Sequence, residues 1–252
     1  MTLHDAQRDR LLRTIEWARE IERHLAAVRA RHVGQVHFRP ASTGIAMIGL
    51  LPDRPQRGKS GITMPARLAA NFEAEFRGHC VDCEHRRLTP EKRLQSWLIA
   101  EAYRHDRRLL PLAAPDLASP LIFITDELAL PVDGGRIVCD LLALSGDRPV
   151  ILELKPSREK KRLVEQVTRY AALVEAHITL FSELCSVILG RELTLRAPCE
   201  RWIVWPAAGI DGDPQEDALA ELGIRVVGYE ETDQGFAFRV GRDVGAPAPD
   251  RG

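Results

Sequence analysis

Two apolar runs around a short turn signal constrain this chain more than any other stretch. Residues 136–155 read Arg-Ile-Val-Cys-Asp-Leu-Leu-Ala-Leu-Ser, then Gly146-Asp147, then Arg-Pro-Val-Ile-Leu-Glu-Leu-Lys. Runs rich in Val, Ile and Leu that flank a Gly-Asp pair predict a β-hairpin. Gly suits the first central position of a type II′ turn, and centring the loop there places Asp140 opposite Glu153. Alternation along the strand puts Glu153 and Lys155 on one face and sends Leu154 the other way, into apolar packing. Two acids and one base therefore converge on one patch.

Like charges directly opposite each other destabilise a sheet by roughly 0.2–1 kcal/mol. A divalent cation removes that cost. Mg²⁺ is held by one or two carboxylates and keeps several waters, which leaves room for phosphate oxygens. Lys155 beside it would stabilise negative charge developing on a phosphoryl group or help to activate a water. A plain salt bridge between Lys155 and either acid is the alternative reading of the same residues.

A charged amphipathic segment follows, opened by Pro156-Ser157 with Ser157 as cap and carrying an apolar stripe of Leu163, Val167, Tyr170 and Val174. Gln166 and Tyr170 are four apart and so neighbours on one helix face. Asp140, Glu153-Leu154-Lys155 and Gln166-Val-Thr-Arg-Tyr170 together resemble the PD-(D/E)xK nuclease superfamily, and the Gln-x-x-x-Tyr element is similar to its RecB-like branch. The resemblance covers about residues 88–206. It implies an α/β fold, a restriction-endonuclease-like αβββαβ core with a mixed central sheet flanked by helices. It also implies that Asp140 and Glu153 bind Mg²⁺, with Mn²⁺ able to substitute, that Lys155 is catalytic, and that Gln166 and Tyr170 support the metal or the scissile strand. Cys139 precedes Asp140, where the family name has Pro.

In that family a Glu from a preceding helix often completes the site. Thr89-Pro90 is a helix start, with Thr as N-cap and Pro at the first helical position. The helix should run to about His105, with Leu94, Trp97, Leu98 and Ala102 as its apolar stripe. Glu91 lies on the side of Leu94 and Leu98, so the resemblance assigns it the third metal position, with Glu101 in reserve. Strands follow over 121–130, 136–145 and 149–155. After the helix that carries Gln166 come a second helix over 178–189 and a strand over 201–205, joined to strand 149–155 as a parallel crossover. A helix near 215–222 and a strand pair, 225–230 and 235–240, close the chain.

The first third reads as a helical, α+β extension over 1–85 that serves recognition or dimerisation. Leu11, Leu12, Ile15, Ala18, Ile21, Leu25 and Val28 are spaced for one long helix over 3–32, which would pack on its own domain or on a second copy. Gly34 ends it. Short strands are expected at Val36–Phe38 and Ile45–Leu51, a loop over 52–61 and a helix over 65–76. Gly58-Lys59-Ser60 is no phosphate loop, because Asp53 stands where its first Gly belongs. Cys80 and Cys83, flanked by His79 and His85, lack the second ligand pair of a zinc site, since Cys139, Cys185 and Cys199 are isolated. Residues 86–242 form the nuclease-like domain and 243–252 a flexible tail.

With 35 basic and 36 acidic side chains the chain is no polycation, so a nucleic acid must be met by a local patch. Arg86, Arg87, Arg93, Arg104, Arg107 and Arg108 offer the density for one. The charged N-terminus has no apolar core of a signal peptide, no apolar run of 18 residues exists to span a membrane, and the odd cysteine count suits a reducing cytoplasm. The expectation is a Mg²⁺-dependent phosphodiesterase acting on nucleic acid, DNA in preference to RNA. The alternative is an inactive nuclease-fold module that binds nucleic acid or a protein partner.

Overall fold

The computed structural model describes residues 2–50, 58–81, 89–113, 119–158, 163–207 and 214–240. Thr2 caps helix α1 (Leu3–His24): its hydroxyl accepts from the Asp5 amide at 3.1 Å, while the Asp5 carboxylate accepts from the Thr2 amide at 2.9 Å. The single helix expected over 3–32 is broken at Leu25 and resumes as α2 (Ala26–Arg31). Leu25 and Val28 stay buried across the break, so the apolar stripe alone gave no sign of it. Gly34, at φ +69°, then turns the chain into a small antiparallel sheet of β1 (Val36–Ala41), β2 (Gly44–Gly49) and β3 (Lys59–Ile62). Part of the expected loop over 52–61 is thus a strand, in which Lys59 pairs with Glu75 at 2.9 Å. Asn71 divides the expected helix over 65–76 into α3 (Pro65–Ala70) and α4 (Phe72–Phe76), followed by a π-helical turn Arg77–Val81. Cys80 is buried there, whereas Cys83, His85, Arg86 and Arg87 lie outside the described residues, as does the tail over 243–252.

The rest of the chain is a mixed α/β unit. Helix α5 (Pro90–Arg104) precedes β4 (Leu121–Val132), β5 (Gly135–Ser145) and β6 (Arg148–Leu154); α6 (Leu163–Ala176) and α7 (Ile178–Leu189) lead to β7 (Glu200–Pro206), and α8 (Pro214–Glu221), β8 (Ile224–Thr232) and β9 (Gly235–Val240) follow. The six strands form one sheet in sequence order, antiparallel except for β6–β7 and β7–β8, which are parallel. The described part of α6 begins at Leu163; the expected helix start after Ser157 runs through residues 159–162, which are outside the described residues. Among the described residues no single helix is long and apolar enough to cross a membrane.

The hairpin has the expected register. β5 and β6 pair from Ser145 against Arg148 to Leu141 against Leu152. Gly146 has φ +62° and Asp147 is not at positive φ, the sign pattern of a type II′ turn. Helices α1, α6 and α7 cover one face of the sheet, meeting Ile151, Ile203 and Trp205; α5 covers the other, meeting Leu152, Leu154 and Trp202.

Two irregularities were not expected, and the first is a register shift of the β4–β5 pairing between Phe123 and Thr125. In the second, on β5, Cys139 and Leu142 both belong to the α6 face while Leu141 belongs to the α5 face, so alternation slips at Asp140. On β4 the paired positions are Asp126 against Leu141 and Leu128 against Cys139, with Glu127 left between them at φ +41°. Local irregularities of this kind re-aim side chains that strict alternation would bury.

Helix α1 joins the two sheets. Its Leu11, Ile15 and Ala18 enter the main core, and Ile21 enters the core beneath the small sheet. The apolar stripe of α1 thus packs on its own chain. Ile15→Ala should cost about 2–5 kcal/mol, the usual loss for truncating a fully buried Ile, measured by urea denaturation. Circular dichroism and tryptophan fluorescence should report one coincident transition, because the helix ties both cores together.

Candidate active site

The slip on β5 and the end of β6 bring four expected residues together. The Lys155 ammonium lies 3.3 Å from Glu153 Oε2, 3.6 Å from Asp140 Oδ2 and 3.8 Å from Glu91 Oε2. Each acid comes from a different element: Glu91 from the first turn of α5, Asp140 from β5 and Glu153 from β6. The Thr89 hydroxyl caps that first turn by accepting from the Lys92 amide at 3.3 Å. Glu101, the reserve for Glu91, is occupied at the other end of the helix by Arg104 and His105.

Asp140 and Glu153 are each held by a specific donor. The Leu154 amide donates to Asp140 Oδ2 at 2.9 Å, just where the β5–β6 pairs end. Gln166 Nε2 donates to Glu153 Oε2 at 2.8 Å and to the Val138 carbonyl at 3.2 Å. Lys155 is anchored through its backbone: its amide donates to the Val204 carbonyl at 2.8 Å, and the Tyr229 hydroxyl donates to its carbonyl at 3.3 Å. Tyr170 does not join the acids. It is fully buried in the main core, and its hydroxyl donates to the Leu128 carbonyl at 2.9 Å.

The electrostatics follow from burial. The Glu153 side chain is 0 % exposed, and burial followed by the nearby Asp140 pushes its carboxyl well above the usual range against the pull of Lys155. Burial and Asp140 also raise Glu91. Burial disfavours the Lys155 charge, but Asp140, Glu153 and Glu91 outweigh it and raise its pKa. One oxygen, Glu153 Oε1, is buried without a hydrogen-bond partner.

That unpartnered oxygen and an all-carboxylate donor set suit a hard, oxygen-preferring cation. Among the described residues no three His, Cys, Asp or Glu side chains stand close enough together to ring a metal, because the acids are spaced around the Lys155 ammonium. The donors therefore fit Mg²⁺ in kind, and their present spacing is that of an ammonium site.

Several of the arginines that offered a basic patch have partners of their own. Arg93 pairs with Glu231, Arg104 with Glu101, and Arg107 turns inward, its guanidinium 5.3 Å from the Tyr103 ring centroid. Sequence reasoning also missed a second polar cluster beside the acids. Asp126 is buried between His37 Nε2 at 2.8 Å and Arg39 Nη1 at 3.0 Å, and Arg39 also reaches Glu127 at 2.6 Å. Burial opposes the Asp126 charge, yet Arg39 and His37 hold its carboxyl down at about 2. The only sequence signal was Asp126-Glu127 interrupting an apolar strand. Compared with family models, with curated proteins and with solved structures, the chain matches none.

The raised Glu153 carboxyl carries a sign for stability. A folded-state pKa above the unfolded value favours the fold below the unfolded pKa, and this is lost as pH rises through the folded pKa. Glu153→Gln should therefore raise the melting temperature of metal-free protein at pH 8, by about 2–4 °C for each kcal/mol relieved. The gain should vanish as pH falls into the ordinary carboxyl range, as differential scanning calorimetry across pH would record.

Proposed function

We propose that this chain is a metal-dependent nuclease of the PD-(D/E)xK kind, on a restriction-endonuclease-like core, that hydrolyses phosphodiester bonds of nucleic acid, DNA in preference to RNA. The observation that carries the reading is the ring of Glu91, Asp140 and Glu153 around Lys155, with Gln166 on the Glu153 carboxylate. The order α5, β4, β5, β6, α6, β7 supports it, being the αβββαβ order with α7 inserted.

Asp140 and Glu153 would hold Mg²⁺, or Mn²⁺ in its place, with Glu91 completing the set. The bound cation supplies a Lewis acid for a phosphoryl oxygen and lowers the pKa of a water. The protein's own part is positional and electrostatic. Leu154 and Gln166 each fix one carboxylate oxygen, which leaves Glu153 Oε1 free to ligate. Lys155, kept charged by the acids, meets the negative charge that develops on the phosphoryl oxygens as the P–O bond to the leaving strand breaks. Tyr170 supports β4 from beneath.

One observation favours a second reading, a nuclease-fold module that binds nucleic acid or a protein without cutting: the Lys155 ammonium already occupies the space between the acids. Cleavage assays separate the two. Wild type should degrade circular single-stranded or supercoiled DNA with Mg²⁺ or Mn²⁺ and not with EDTA. Lys155→Ala and Asp140→Ala should each slow cutting by at least about 10²-fold, the cost of removing one group that stabilises transition-state charge. Undiminished cutting by both variants would sink the assignment, and intact DNA and RNA with wild type would transfer the weight to the binding module.

A further inference from the structure

The polar cluster beside the acids reaches the site through one side chain. Gln95 lies on α5, one turn after Glu91, and is only 3 % exposed. Its Nε2 donates to the main-chain carbonyl of Asp140 at 2.9 Å and to Asp126 Oδ2 at 3.3 Å, and its Oε1 accepts from Lys92 Nζ at 2.7 Å. Every polar atom of its amide group is thus engaged. Its contact on β5 falls at the slip, where Asp140 and Glu127 stand between paired positions of the β4–β5 ladder.

Asp126 is in turn gripped from the small N-terminal sheet. His37 and Arg39 sit on β1, and both side chains bond its carboxylate. Tyr103 of α5 closes the far side, its hydroxyl 2.7 Å from His37 Nδ1. Burial lowers the His37 pKa and outweighs the pull of Asp126. The neutral ring is then a donor to Asp126 through Nε2 and an acceptor from Tyr103 through Nδ1. Glu127, left-handed at φ +41°, joins Arg39 to Lys92 across the same slip. A non-glycine residue in that conformation is strained and persists where the surroundings over-determine it, which is common at functional sites.

We propose that Gln95 is a positioning residue of the site: clamped by Asp126, which β1 holds through His37 and Arg39, it fixes the backbone of Asp140 at the slip so that the carboxylate faces Glu153 and Lys155. The N-terminal sheet thereby takes part in the site without touching it. Its catalytic consequence rests on the nuclease reading; the geometric claim does not. Partners that orient ligating carboxylates typically set metal affinity by about 10–100-fold, which is the scale on which Gln95 should act.

The Leu154 amide, bonded to the Asp140 carboxylate, reports the position of that carboxylate directly. Gln95→Met keeps the length of the side chain and removes both donors. Hydrogen exchange followed by NMR should show the Leu154 amide exchanging at least about tenfold faster than in wild type, while Ile151 and Leu152 of the paired ladder keep their rates, the signature of local rather than global opening. If Gln95→Met does not fold, Gln95→Asn, one methylene shorter, is read in the same way. In cleavage assays the Mn²⁺ concentration for half-maximal rate should rise about 10–100-fold, with much of the rate recovered at saturating metal. An unchanged Leu154 amide, or one that accelerates together with Ile151 and Leu152, overturns the proposal. Absence of cutting by wild type defeats the nuclease reading alone, and the exchange rates then decide the clamp by themselves.

Discussion

Three carboxylates in a half-dry space repel one another, and the ammonium of Lys155 is what lets them stand together. Its nitrogen lies within 4 Å of all three, and without it the buried Glu153 would carry a charge with no cation beside it. The ring holds an unused acceptor in Glu153 Oε1 and acids raised toward the neutral form, so the arrangement conserves charge without saturating its ligands.

The geometry beneath the ring depends on a fault in the sheet. Regular alternation would leave Asp140 opposite Glu153 with its backbone in the ladder. The slip at Asp140 and Glu127 instead lets the Asp140 carboxylate take the Leu154 amide while Gln95 takes its carbonyl. Such a fault persists only when other bonds hold it, and here they come from α5, β4 and the N-terminal strand β1. This explains why the buried Asp126 and His37, with Arg39 beside them, gather next to a site they do not enter.

The two sheets are accordingly one mechanical unit. Helix α1 gives Leu11, Ile15 and Ala18 to the main core and Ile21 to the smaller one, and the Arg39–Asp126 pair crosses between the sheets in a buried position. The N-terminal segment, which the sequence offered as an appended module for recognition or dimerisation, has its apolar stripe and several polar side chains, Gln7, Arg19, His37 and Arg39 among them, committed to the rest of the chain.

Much of the site was legible because its signals are local. Gly146-Asp147 between apolar runs determined the hairpin and its register, the Thr89-Pro90 pair determined the start of α5, and helical spacing placed Glu91 and Gln166 on inward faces. Alternation likewise assigned Ile151 and Leu154 to opposite faces of β6. What the sequence could not carry was anything set by partners distant along the chain. The break at Leu25 interrupts a stripe that reads as continuous, the Leu128 carbonyl that Tyr170 bonds lies 42 residues away, and Arg93, Arg104 and Arg107 near α5 found acids or the Tyr103 ring. The slip at Asp140 and the clamp through Gln95 were decided by tertiary structure alone. Strand alternation is a property of neighbouring residues, whereas a left-handed Glu127 is tolerable only once Arg39 and Lys92, 88 and 35 residues away, have folded onto it.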